Sequence, residues 1–315
     1  KIITFINGYH GNTYGASSLS SCTFKMREKI GPFLPDIYHF PFYGVDASDE
    51  VVQQEGIRQI KDAFSTYLPA KEVAAFIIEP IQGDGGMLPA HPLFMKQLYE
   101  VCQTYGILFI SEEVQQGFWR TGRFWGIENY PDVVPDGIIM GKSIGAGLTL
   151  GAFMARAEIM DSLPAPAHIF TLAGNALACA AGNAAFDVYE SEAFQNQLRA
   201  NSQKLQELMQ WLKEQHPKTV GFYRGIGMSY GIGIVKPDDK GQPVADPQGA
   251  FKVCFRSFEL GLVVITLGGH ILRIQPPLNI STAHLEKAFE ILHQALAELE
   301  EGRLSDDVLS YQFGW

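Results

Sequence analysis

Three apolar runs in this sequence end in charge. Phe76-Ile77-Ile78 is followed by Glu79, Phe109-Ile110-Ser111 by Glu112 and Glu113, and Ile138-Ile139-Met140-Gly141 by Lys142. Short apolar runs bounded by turn residues read as buried strands of a parallel sheet. Ligands of such sheets bind outside the carboxyl ends of the strands. A lysine and two or three carboxylates are therefore expected on one sheet edge. Glycine-rich turns stand beside them: Gly83-Asp84-Gly85-Gly86 after Glu79, Gly141 before Lys142, and Gly145-Ala146-Gly147 after it. Any one of these charges alone also reads as a solvent-facing strand end or half of an ordinary ion pair.

Lys142 is the only lysine between Lys96 and Lys204, and no other basic residue follows it until Arg156. Its apolar, glycine-rich neighbours predict a desolvated amine. Such an amine loses basicity and attacks carbonyl carbon. That is what a Schiff base with pyridoxal 5'-phosphate (PLP) requires. A carboxylate facing the pyridinium nitrogen would keep the ring protonated, as an electron sink. From the residues alone the reading is an α/β enzyme with a strand-edge lysine and carboxylates.

The elements that position these groups alternate along the first two thirds of the chain. Strands are expected at Ile2–Ile6, Val73–Ile78, Ile107–Ile110, Gly137–Met140 and Leu150–Met154. Helices are expected at Ser48–Tyr67, Pro92–Tyr105 and Ala176–Glu190, the last of them buried. Strands separated by helices predict an α/β domain with a mostly parallel sheet over residues 1–190. A long amphipathic helix, Ser191–Gln215, opens a smaller α+β domain over residues 191–315. Its strands are expected at Met228–Val235, Leu262–Thr266 and Ile271–Ile274, and its helices at Ala250–Leu260 and Thr282–Glu300.

The 315 residues are 46% hydrophobic and 18% charged, which excludes a disordered chain and suffices for a large core. The net charge of −10, without a run of Lys or Arg, argues against nucleic acid and anionic membranes as partners. No stretch of about 18 apolar residues reads as a membrane span. Cys22, Cys102, Cys179 and Cys254 lie far apart, without zinc or redox spacing. They read as buried free thiols of a reducing compartment, hence a cytoplasmic protein without a metal site. The chain opens directly on a strand-like run at Lys1, without a methionine, so a preceding segment is expected.

Several linked motifs carry a resemblance that covers essentially the whole chain. They are Gly8-Tyr-His-Gly-Asn-Thr13, Phe76-Ile-Ile-Glu-Pro-Ile-Gln-Gly-Asp-Gly-Gly86, Glu112-Glu-Val-Gln-Gln-Gly-Phe-Trp-Arg-Thr-Gly122, Pro135-Asp-Gly-Ile-Ile-Met-Gly-Lys142, Phe170-Thr-Leu-Ala-Gly-Asn175 and Leu272-Arg-Ile-Gln-Pro-Pro-Leu278. In this order they resemble the class III aminotransferases, PLP enzymes of fold type I. The resemblance implies the fold type I large domain, the smaller C-terminal domain, and an N-terminal segment of the family that is missing before Lys1. It implies that Lys142 forms the Schiff base and moves the Cα proton. Glu112 would pair with the pyridine nitrogen, Val114 would pack under the ring, and Gln115 would bond the ring hydroxyl. Tyr9 would stack on the other face with His10 beside it, and Glu79 would support the ring-side network. Thr171 would reach the phosphate of a neighbouring subunit, implying a homodimer with shared sites. Arg273 would bind the substrate carboxylate, with Asp84 close to it. The family pattern has Asp where this chain has Glu112, so one more methylene must be accommodated. It has a small residue where this chain has Trp119, which would narrow the pocket mouth.

The implied reaction is amino group transfer between an amino acid and a keto acid. Ala165-Pro-Ala-His-Ile-Phe-Thr171, Gly261-Leu-Val-Val-Ile265 and the terminal Gly314-Trp315 resemble the amino-acid 2-epimerases of the same fold. In that alternative, Lys142 and Asp84 would act as two bases on opposite faces of Cα.

Overall fold

The computed structural model describes residues 1–311; Gly314 and Trp315 lie outside the described residues. The chain forms two compact units. One holds Lys1–Gly83 with Pro89–Ser191, and the other holds Asp84–Leu88 with the chain from Glu192 onward.

The first unit is built on a six-stranded sheet. Its strands are β1 (Ile2–Phe5), β2 (Ile37–Phe40), β3 (Ala75–Ile78), β4 (Leu108–Glu112), β5 (Gly137–Met140) and β6 (Ala152–Ala155), in the order β2-β1-β3-β4-β5-β6. The first five run parallel, and β6 closes the edge antiparallel to β5. This is the α/β architecture with a mostly parallel sheet that the alternation of elements predicts. Burial on both faces explains the unbroken apolar runs. Phe5 packs edge-on against Phe76 and Phe94, with ring centroids 6.4 Å and 5.7 Å away.

The segment expected as one helix is two, α1 (Asp49–Glu55) and α2 (Arg58–Thr66). The backbone leaves the helical region at Ile57 (φ −119°, ψ 6°), just after Gly56, where a Cβ would lie 2.6 Å from Gln97 Oε1. Helix α3 (Pro92–Tyr105) starts on a proline and stops at Gly106, whose φ of 69° is left-handed. Helix α4 (Ala176–Glu190) corrects an expectation, because only Ala178 and Gly182 are buried. Its Ala-rich sequence suggests burial, yet most of the helix is open, and Leu177 is 71% exposed. Cys179 on α4 and Cys22 are half-buried, whereas Cys102 and Cys254 are buried; none of the four is in a disulfide.

The second unit is an antiparallel sheet with helices α5 (Glu192–Gln215), α6 (Pro247–Glu259) and α7 (Thr282–Glu300). Its strands are β7 (Val220–Ile226), β8 (Ser229–Pro237), β9 (Pro243–Ala245), β10 (Ile265–Leu267) and β11 (Ile271–Ile274). Strand β8 is central and pairs with β7, β9 and β11, and β11 pairs with β10. Strand β7 is not legible from the sequence, since Gly221, Gly225 and Gly227 make it look like a turn.

Candidate active site

Because β1, β3, β4 and β5 are parallel, the residues that follow them share one edge of the first unit. Glu112 ends β4 and is 5% exposed. Its Oε1 accepts the Val114 backbone N–H at 2.7 Å. The extra methylene is thus taken up by tilting the carboxylate back onto its own loop. Oε2 faces His10 Nδ1 at 3.7 Å, and that buried nitrogen has no hydrogen-bond partner among the described residues. The His10 backbone is fixed by donation to Ser20 Oγ at 2.8 Å.

Glu79 is a clamp. Its Oε1 accepts from Tyr9 N and its Oε2 from Gly83 N, both at 2.9 Å. One buried carboxylate thereby ties the turn after β1 to the turn after β3. Charge-assisted bonds to backbone N–H are among the stronger ones, so the turn bearing Tyr9 and His10 is held firmly. Val114 packs on Gly141, where a Cβ would come 2.9 Å from Val114 Cγ1. Gln115 lies against Gly83, where a Cβ would fall 1.6 Å from Gln115 Oε1. Neither glycine can carry a side chain without displacing these residues.

Lys142 follows β5 with a left-handed φ of 45°. Its side chain is exposed, and its amine makes no hydrogen bond or ion pair among the described residues. The expected desolvation is therefore corrected. The neighbours that suggested burial, Ile138 and Met140, pack into the sheet, and the turn carries the lysine to the surface. What the edge presents is a free primary amine one strand away from a buried carboxylate. Thr171 is also exposed, between Phe170 at 61% and Leu172 at 79%.

Glu113, grouped with Glu112 in the sequence, does a different job. It is fully buried and accepts from Ser111 Oγ at 2.9 Å, Gly126 N at 2.7 Å and Ile127 N at 2.8 Å. Burial pushes its carboxyl up to about 7 from the ordinary 4.5, against the pull of those bonds. The folded value lies above the unfolded one. Its stabilising contribution is therefore full below about pH 4.5 and is lost as pH rises through 7. Between pH 5 and 8 the wild type should lose about 2–3 kcal/mol relative to Glu113→Gln. Urea unfolding of both proteins across that range checks this; a constant difference contradicts it.

Trp119 holds an unusual backbone, at φ 72° after Phe118 at φ 56°. Left-handed non-glycine residues cost about 1–2 kcal/mol each. The indole packs edge-on against Phe124 at 6.0 Å, and its Nε1 is buried without an acceptor among the described residues.

Asp84 and Arg273 belong to the second unit. Asp84 opens a short strap, Asp84–Leu88, laid on the sheet. Met87 is fully buried with Leu267 and Ile271, and Phe222 packs against them. Arg224, Gly231 and Arg273 form one row across β7, β8 and β11, and paired residues of antiparallel strands share a face. Two cations therefore flank a glycine, and the Gly86 carbonyl sits over it. A Cβ on Gly231 would come 2.8 Å from Ile271 Cγ2 and 2.9 Å from Gly86 O. Gly231→Ala should cost about 1–3 kcal/mol by overpacking, read from the urea midpoint; an unchanged midpoint contradicts the fit.

A strand-end amine, a buried carboxylate on the next strand and a clamped aromatic turn thus share one edge of an α/β sheet. The sequence profile of the family described as Aminotransferase class-III matches residues 1–296, and the chain belongs to that family. It is 37% identical over 320 residues to isoleucine 2-epimerase of Lentilactobacillus buchneri, covering 100% of this chain and 70% of that protein. It is 33% identical over 303 residues to a probable 4-aminobutyrate aminotransferase of Bacillus subtilis, covering 94% of this chain and 68% of that one. Among solved structures, an amine transaminase from an uncultivated Pseudomonas species in its PLP-bound form superposes with a TM-score of 0.83 at 27% identity, over 95% of this chain and 69% of that one. The fold is thus the fold type I transferase fold, and the chain spans about 70% of the length of these relatives.

Proposed function

We propose that the protein is a PLP-dependent enzyme acting at the α carbon of amino acids. The observation that carries this reading is the free Lys142 amine on the strand next to buried Glu112. Bound PLP supplies an aldehyde for an amine to join and a protonated ring that accepts the electron pair of a broken Cα bond. The residues fit such a group. Lys142 would hold it covalently and, once released, take the Cα proton. Glu112 Oε2 accepts no hydrogen bond among the described residues, so it is available to keep a proton on a ring nitrogen. His10 would lie beside that carboxylate, its Nδ1 3.7 Å from Oε2. Val114 and Tyr9 would pack on the two ring faces, and Gln115 would bond the ring hydroxyl. Glu79 fixes the turn that carries Tyr9. Arg273 would bind the substrate carboxylate.

Removal of the Cα proton serves amino transfer and 2-epimerisation alike. Asp84 on a fixed strap favours epimerisation, because a second acid can return a proton to the opposite face. Similarity to the isoleucine 2-epimerase supports the same reading and an aliphatic substrate. Amino transfer to a keto acid is the alternative, supported by the family and by the aminotransferase relative. L-Isoleucine assayed with the PLP-loaded protein, with and without a keto acid, tests both. Formation of the 2-epimer without acceptor gives epimerisation, and strict dependence on acceptor gives amino transfer. If neither product forms, the proposal fails.

The proposed division is a cofactor-binding domain over residues 1–190 and a smaller domain over 191–315, the strap aside. A homodimer is proposed, with Thr171 reaching the neighbour's phosphate. The exposed Ile169, Phe170, Leu172 and Leu177 support a covered surface there. Light scattering that gave only monomer would contradict it. Four cysteines kept as thiols support a cytoplasmic location; among the described residues no helix is long and apolar enough to cross a membrane.

A further inference from the structure

We propose that Arg224 is the positioning residue of Asp84, and that it thereby decides whether Asp84 can return a proton to Cα with inversion. This rests on the epimerase reading above, in which Asp84 is the second acid. Arg224 stands on β7 directly across from Gly231. Its Nε donates to Gly86 O at 3.0 Å and its Nη2 to Gly85 O at 3.5 Å. The rigid guanidinium fork thus brackets two successive carbonyls of the turn that begins at Asp84.

The rest of the strap leaves that turn little freedom. Gly86 has a φ of 101°, and a Cβ there would lie 2.5 Å from Ile271 Cδ1 and 2.8 Å from Arg224 Nη2. Only glycine lets the carbonyls reach the fork. Met87, at φ 53°, anchors the strap from the far side, with its sulfur 3.3 Å from Ser229 Oγ. Gln275 Nε2 holds that hydroxyl at 2.8 Å. The guanidinium is itself steadied over the Phe222 ring at 5.1 Å. The Arg224 clamp and the Met87 plug tie residues 85–87, directly after Asp84, to the sheet of the second unit. A carboxyl that must meet one face of one carbon needs that fixity, since a misplacement of about 1 Å can cost about 10²-fold.

The chemistry balances without a further reagent. The Cα–H bond breaks on one face and its proton goes to Lys142 Nζ. The electron pair returns to Cα and bonds the proton of the Asp84 carboxyl on the other face. Both side chains reset by exchange with water. Lys142 alone, returning a proton to its own face, gives exchange with retention. Inversion needs Asp84 in place. The two outcomes therefore separate the two groups.

The test uses the PLP-loaded protein with L-isoleucine in D2O. Proton NMR reads loss of the α hydrogen, and chiral chromatography reads the 2-epimer. For Arg224→Gln the expected result is inversion slowed by about 10²-fold, with exchange at retained configuration within about threefold of wild type. Arg224→Lys keeps the charge but not the fork, and should fall between them. Amide exchange followed by mass spectrometry should show faster exchange in the peptide spanning 84–88 of Arg224→Gln, and no change in the strands of the first unit. Equal loss of inversion and exchange, or loss of neither, overturns the positioning role while Asp84→Asn still abolishes inversion. Unaltered amide exchange at the strap also overturns it. If Asp84→Asn leaves inversion at the wild-type rate, the acid role of Asp84 falls, and this inference with it.

Discussion

Lys142→Ala should lower turnover of an amino acid substrate by at least about 10³-fold while leaving stability nearly unchanged. The two halves come from one observation. The amine is exposed and bonds to nothing among the described residues, so its removal breaks no contact. Surface changes of this kind stay within about 0.5 kcal/mol. The left-handed φ of 45° is as awkward for alanine as for lysine, so strain does not change either. The whole effect should therefore fall on the chemistry: the covalent hold on the cofactor and the base for the Cα proton are lost together. Turnover with saturating PLP and a melting curve of both proteins check this. Turnover within tenfold of wild type would remove Lys142 from the mechanism, and a large fall in melting temperature would give it a structural role.

The second large effect is expected at Glu112. Glu112→Gln should slow Cα proton removal by about 10²-fold, the size of removing one preorganised electrostatic partner. The variant keeps the shape, and its amide oxygen can still accept from Val114 N, now bonded at 2.7 Å. What disappears is the negative charge 3.7 Å from His10 and the means to keep a ring nitrogen protonated. A neutral ring is a poorer electron sink, so α-hydrogen exchange into D2O should slow with little change in PLP affinity. Glu112→Asp restores the charge and should recover most of the rate. Wild-type exchange in Glu112→Gln would sink the role.

The edge that bears this site was legible because its signals are local. Apolar runs followed by Glu79, Glu112 and Lys142 predict strands, and a parallel sheet gathers strand ends by topology alone. What each acid does there was not legible. Glu112 and Glu113 are neighbours in sequence. Yet alternation along a strand sends one to the loop at Val114 and buries the other under Gly126 and Ile127. The apolar neighbours of Lys142 predict burial, but composition does not report the left-handed turn that exposes it. Helix α4 shows the same limit: Ala-rich sequence signals a covered helix but not what covers it. Arg224 carried no signal, lying between glycines in a strand that reads as a turn. Its meaning arises only when β7, β8 and the strap are brought together.

The central claim is that Lys142 holds PLP. The direct measurement is borohydride reduction of the purified protein with added PLP, followed by the visible spectrum and peptide mass mapping. The expected result is loss of the long-wavelength band and one reduced C–N bond to the cofactor, on the peptide containing Lys142. No band, or a reduced adduct on any other lysine, would contradict the account.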